Sequence, residues 1–495
     1  MLGHISVTIS SLNIALLAPM AIISFGALAI ICIDLFSKNL NKSFYVMLSL
    51  LFILLDFTTL IGLHGSSRGF FNVMLVDGIS VLSQGIILIT SALFIVLALS
   101  NKPFMEFKKA EYYALFLFML VGFQFMVATD NLILIFLGLE TASLSLYTLI
   151  AMHNRNKAFE AAIKYFTMGA LAAGFFAMAS LIFYALTGSV ELSVISKVLE
   201  ARNYAPGVAI LAGVVFMLTA LAFKLSVVPT HTWTPDVYEG SSAPLAGYMS
   251  VVPKIAGLVV AIRFFDIFLH ADIVWVQNVL IFLAIITMFL ANITALVQED
   301  VKRMLAFSSI AHAGFVLTAL MIGNTQANSA IFLYWILFMF TNMGAFTMLW
   351  MARHRKNLWD SRYQHPFTKF SGLVKVSPMM ATIMGIFMFT LAGMPPFSVF
   401  WGKLYLISAV VDSGHVWLAV IMVINSAIAV YYYMKLIVYM FLKDPITEDG
   451  NIYVANSSTP IKVVVGIALV FTITASIFVE PILGIVTQLM KSSGL

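Results

Sequence analysis

The sequence predicts an all-α, polytopic membrane protein of about 14 transmembrane helices. Three observations carry that prediction. Hydrophobic residues make up 61% of the 495 positions and charged residues only 10%, where a soluble domain carries about 25% charged residues. Mean hydropathy is +1.01. Apolar runs recur along the whole chain, each close to the roughly 20 residues that a ~30 Å hydrocarbon core requires. Fourteen such spans use about 280 residues and leave the rest for loops and helix ends.

The opening stretch, MLGHISVTISSLNIALLAPM, lacks a basic start and a small-residue cleavage exit. It reads as the beginning of a retained first span, not as a signal peptide. Residues 1–111 form an N-terminal three-helix segment. Helices 4–8 follow within 112–265, helices 9–13 within 273–441, and a loop with the last helix occupies 442–495. The fourth and fifth spans divide at Thr129-Asp130-Asn131, the seventh lies near 207–234 and the twelfth near 377–411.

Of the 27 Lys and Arg, seventeen fall in loops on one side, among them Lys38, Lys102, Lys302, Arg303, Lys356 and Arg362. Five fall on the other side, namely Arg68, Lys197, Arg202, Arg263 and Lys491. The basic-rich side is cytoplasmic by the positive-inside rule, which turns both termini outward. The net charge of +5 is therefore topological and implies no nucleic acid.

Cys32 is the only cysteine, which excludes a four-Cys iron–sulfur site and a CxxC pair. There is no GxGxxG and no Walker sequence. The nine histidines show neither HExxH nor HxxxH spacing, which argues against a metal site. The chain is expected to hold no cofactor. A partner or an ion gradient must drive it.

Five basic residues remain inside spans: Lys164, Lys224, Lys254, Lys403 and Lys435. Glu140 and Asp56 also interrupt apolar runs. A charge at the bilayer centre costs about 3 kcal/mol or more, so such residues usually line a polar pathway. Prolines stand beside several of them. Lys224 lies in FKLSVVPTHTW, Lys254 follows Pro253, and Lys403 ends LAGMPPFSVFWGK. A proline frees the carbonyl four residues back, here those of Leu225, Leu391 and Ala392. Broken backbone at membrane depth is tolerated where it is buried in protein or lines a wet cavity. The breaks in helices 7 and 12 are five spans apart, as expected for two inverted five-helix repeats.

Burial disfavours the charged form of a lysine, and a nearby carboxylate restores it. A buried lysine with an acidic partner can therefore load and release a proton. Glu140 is the natural partner of Lys224, and His312 suits a relay between the two lysine groups. His231, Asp56 and Lys435 are candidate relay residues with structural alternatives. His231 serves equally as a polar residue of the break, and Asp56 as an interhelical hydrogen-bond partner. Lys435 is close enough to the end of its span to snorkel. Glu160 and Lys157 read as a helix start, where the macrodipole favours the acid.

FKLSVVPTHTWTPDVYEGSSAP around Lys224 resembles the seventh-helix signature of the antiporter-like membrane subunits of respiratory complex I. FLGLETASLSLYTL around Glu140, EAAIKYF around Lys164, DVKRMLAFSSIAHAGF and LAGMPPFSVFWGKLYL are further matches, and the resemblance runs from about residue 112 to 441. The TPDVYEG ending and the lysine at 403 are similar to one branch of that family; a neighbouring branch carries a PDAH-type ending and a glutamate. The resemblance implies fourteen helices and proton translocation coupled to electron transfer in other subunits. It implies proton-transfer roles for Glu140, Lys164, Lys224, Lys254 and Lys403. NADH, FMN, iron–sulfur clusters and quinone belong, on this reading, to partner subunits. Those partners are the other membrane subunits and a hydrophilic redox arm, in a bacterial inner membrane. An Mrp-type cation/proton antiporter subunit and the equivalent subunit of a hydrogenase-type complex are the rival expectations.

Overall fold

A computed structural model of the chain describes residues 12–37, 40–62, 65–100, 106–271, 273–351, 353–355, 364–445, 452–454 and 458–494. Thirteen helices among them are long and apolar enough to cross a membrane. The first six are Ile14–Phe36, Lys42–Ile61, Gly78–Leu97, Ala110–Val127, Leu132–Ala151 and Asn156–Thr187. The next are Gly207–Gly240, Ala243–Leu269, Val274–Leu296, Val301–Leu320 and Thr325–Trp350. Val416–Leu442 and Thr459–Ser493 close the series. Pro378–Ala392 and Ser398–Asp412 are two half-helices that together make the remaining span. Counted along the chain, that pair is span 12, and the total is the expected fourteen. The sequence predicts a break in the stretch over 377–411 beside Pro395 and Pro396, and the structure divides it at Gly393-Met394-Pro395-Pro396-Phe397.

Contacts between loops sort the helix ends into two groups. At one end Met74 bridges Thr129, and Asn131 bridges Glu191. A short hairpin, Ser67–Gly69 with Met74–Val76, lies there as well. At the other end His153 meets Glu106 at 2.6 Å, Asp300 bridges Pro366, and Lys375 pairs with Asp444. These are the ends that strict alternation of fourteen spans requires. The second end is the basic-rich one, although Lys38, Lys102, Lys356 and Arg362 lie outside the described residues.

Two assignments of loop charge change. Arg263 belongs to span 8, where it is buried against Asp77 at 2.9 Å. Lys302 is buried in the first turn of span 10 and donates to the carbonyls of Glu239 and Ser241. The sequence placed both in loops because each stands within a turn or two of a helix end, where hydropathy cannot tell buried from wet.

Thr129-Asp130-Asn131 does divide spans 4 and 5, with Asn131 capping the first turn of span 5 through Ile133 N–H and Leu134 N–H. The two helices then cross with their backbones in contact. A Cβ at Gly122 would lie 2.5 Å from Gly138 O, and one at Gly138 would lie 2.6 Å from Gly122 O. Small residues permit such approach, and dispersion and weak hydrogen bonds reward it. Gly138→Val is therefore expected to destabilise the fold by about 1–3 kcal/mol. The check is the thermal midpoint and membrane level of the variant; unchanged values for both would contradict the close crossing.

Candidate functional site

Three buried lysines and one histidine follow one another through the interior. Lys224 is 3% exposed, Lys254 1%, His312 3% and Lys403 5%. The helices that carry them are all interrupted or polar at that depth.

Span 7 runs from Gly207 to Leu225 and stops, with Ser226 in the left-handed region at φ 62°. Val227 N–H takes the carbonyl of Ala222, and Trp233 Nε1–H takes that of Phe223 at 3.1 Å. The chain resumes through Thr230–Thr232 into Trp233–Gly240. Lys224 thus sits in the last turn before the break. Its Nζ donates to Ser143 Oγ of span 5 at 2.9 Å, not to the freed carbonyl of Leu225 that the proline spacing had suggested. Glu140 lies one turn earlier on span 5. It is half-buried and interacts electrostatically with Lys224 without forming a direct ion pair, and its Oε1 has no hydrogen-bond partner.

Span 8 is broken as well, into Ala243–Met249 and Val252–Leu269. Lys254 stands in the first turn of the second piece and donates to Ser309 O at 2.6 Å and Ser309 Oγ at 2.7 Å. Gly257, one turn on, faces the stem of Lys224; a Cβ there would sit 3.2 Å from Lys224 Cγ. Residues three apart share a helix face, so Lys224 packs on the face of span 8 that presents Lys254. Ser309 and His312 stand in the same relation on span 10. His312 feels the charges of both Lys403 and Lys254.

Lys403 behaves as the proline rule predicts. Its Nζ donates to Leu391 O at 3.3 Å and Ala392 O at 3.2 Å, the two carbonyls freed by Pro395 and Pro396. Gly393, at φ 85°, ends the first half-helix. A Cβ there would stand 3.0 Å from Lys403 Cδ and 3.1 Å from its Nζ. Only glycine supplies both the backbone conformation and the room.

The remaining candidates lie elsewhere. Lys164 is set apart from the buried lysines: its side chain is 43% exposed and pairs with Glu160 at 2.7 Å and Asp236 at 2.8 Å. Lys157, Glu239 and Arg303 complete this charged cluster around a cleft of ≈ 210 Å³ at the basic-rich end. Lys435 reaches Gln298 O at 3.0 Å, just past the end of span 9, and covers the Phe367 ring at 4.5 Å. Asp56 is fully buried and accepts from Gln124 Nε2 of span 4, an interhelical hydrogen bond. His231 lies in the break of span 7 with Nδ1 unpartnered. Sequence reasoning missed Ser143, Ser309 and two tyrosines that contact His312, Tyr334 and Tyr433. The serines fall three residues from Glu140 and His312, which is the signal that spacing offered.

An all-helical bundle with broken seventh and twelfth spans and a buried line of amines defines an antiporter-like membrane protein. The signature of the NADH:quinone oxidoreductase/Mrp antiporter transmembrane family matches residues 128–429. A protein of Sulfurovum sp. (strain NBC37-1) is 57% identical over 100% of both chains, and one of Sulfurimonas denitrificans is 58% identical over 100% of both. Each is named NADH-quinone oxidoreductase subunit N. The respiratory complex I of Thermus thermophilus, solved with bound aureothin, contains a chain of 27% identity. It superposes with a TM-score of 0.79 over 94% of this chain and 98% of its own. The chain belongs to the antiporter-like membrane subunits of NADH:quinone oxidoreductases, on the subunit N branch of that family.

Proposed function

We propose that the chain translocates protons as a membrane subunit of a complex I-type NADH:quinone oxidoreductase. Protons enter from the cytoplasm to Lys224, tuned by Glu140, continue by Lys254 and His312 to Lys403, and leave on the outer side. The observation that carries this reading is the set of neutral partners. Each ammonium is held by serine or main-chain oxygens. A buried charge without a counter-ion is poorly compensated. Its proton is therefore free to move when a neighbouring charge changes.

Residues 112–265 and 273–441 act as two inverted repeats, each with one broken helix beside a buried lysine. Both termini face outward from a bacterial inner membrane. The other membrane subunits and the hydrophilic arm supply NADH, FMN, iron–sulfur clusters and quinone, and this chain does no redox chemistry itself. The sequence similarity to proteins named subunit N, over their whole length, supports this assignment over a stand-alone antiporter.

The test uses Lys224→Ala and Glu140→Ala in the assembled complex. Proton pumping into inverted vesicles and coupled quinone reduction are expected to fall together in each. Wild-type pumping in both would reject the pathway.

A further inference from the structure

We infer that the Tyr433 hydroxyl is a proton relay that joins Ser308 to His312, so that protons cross span 10 through side-chain oxygens as well as amines. The inference rests on the reading that protons pass through His312.

Tyr433 is fully buried on span 13. Its Oη contacts Ser308 Oγ and lies 3.2 Å from His312 Nε2. The other ring nitrogen, Nδ1, contacts Tyr334 Oη of span 11. Ser308, Tyr433, His312 and Tyr334 therefore form one uninterrupted hydrogen-bonded chain. A neutral imidazole has one donor and one acceptor nitrogen, and a hydroxyl is both donor and acceptor. The whole chain can consequently point in either of two senses.

That property is what a relay needs. Ser308 gives its hydroxyl hydrogen to Tyr433 Oη and takes one from a water molecule. Tyr433 gives its own hydrogen to His312 Nε2. The hydrogen on Nδ1 passes to Tyr334 Oη, whose own leaves to a second water molecule. Each residue keeps its number of hydrogens, one proton has advanced, and the chain points the other way. Rotation of the hydroxyls and of the imidazole resets it.

Both ends of the chain lead toward a lysine. Ser308 adjoins Ser309, whose oxygens hold Lys254. Tyr334 packs at Gly402, next to Lys403; a Cβ at Gly402 would stand 2.9 Å from Tyr334 Cδ2. Tyr432, equally buried, stands beside the chain: its hydroxyl donates to Asn292 Oδ1 at 3.0 Å and also interacts with Tyr433 and Ser308.

Tyr433→Phe removes one oxygen and keeps the ring. In the assembled complex it is expected to lower proton pumping roughly tenfold, below the hundredfold of a strict general acid because water can substitute. A proton transfer made slower in this way raises the solvent deuterium isotope effect, which a purely structural loss does not. Ser308→Ala should act in the same direction and add little to Tyr433→Phe. Should Tyr433→Phe fail to assemble, the rate and isotope effect of Ser308→Ala decide the matter. A normal rate and isotope effect in Tyr433→Phe, or in Ser308→Ala, beside an impaired His312→Ala overturns the relay alone. A normal His312→Ala overturns the wider path as well.

Discussion

Lys254→Met is expected to lower proton pumping and coupled quinone reduction together, by roughly tenfold or more, while the complex assembles at its normal level. Lys254 is the most deeply buried of the amines and stands between Lys224 and His312. Without its amine, no titratable group of the proposed path remains between Lys224 and His312. Stability should move the other way. Replacing a buried charge by an apolar side chain of similar volume is often neutral or stabilising. Ser309 Oγ, released from the ammonium, can turn to a carbonyl of its own helix. The two readouts therefore separate, as they would not for a lysine that merely holds helices together. Proton uptake by inverted vesicles and a native gel of the membranes measure them. Normal pumping at normal assembly would remove Lys254 from the path, and a lost complex would make it a structural residue.

The spans were legible because a hydrocarbon core imposes a length on each helix, and the split expected at Thr129-Asp130-Asn131 is held in the structure by the Asn131 cap. The Lys403 site was legible too, since the proline rule names the carbonyls of Leu391 and Ala392. The same rule failed for Lys224. There the helix closes through Ser226 and the indole of Trp233, and the amine crosses to another span. Such long-range choices depend on packing, which one-dimensional spacing does not encode. The hydroxyls around His312 were hidden for a related reason. Serine and tyrosine are ordinary residues in membrane helices, and nothing local marks the few that meet an imidazole.

Lys164 lies inside span 6, as expected, but only eight residues past Asn156, about 12 Å along the helix. That is near enough to the basic-rich end for its amine to join Asp236 and Glu160. Local hydropathy does not separate it from Lys254 and Lys403, which are buried in the interior.

Arg263 is the residue whose placement changed most, and its removal should be the most damaging to stability. Its Nη2 meets Asp77 Oδ1 at 2.9 Å, Ser80 Oγ at 2.9 Å and Val127 O at 3.3 Å. Asp77 is also the N-cap of span 3, accepting from Ser80 N–H at 2.9 Å. The pair thus clamps the N-terminal helices to span 8. Arg263→Met leaves the buried carboxylate of Asp77 without its counter-ion. Breaking a buried pair from one side costs about 3–5 kcal/mol, enough to depress both the thermal midpoint and the membrane level of the chain. Asp77→Asn added to Arg263→Met should recover most of the loss, because asparagine still caps the helix and carries no charge. A double variant as unstable as the single one would show that Arg263 acts by filling space, and that the ion pair is incidental.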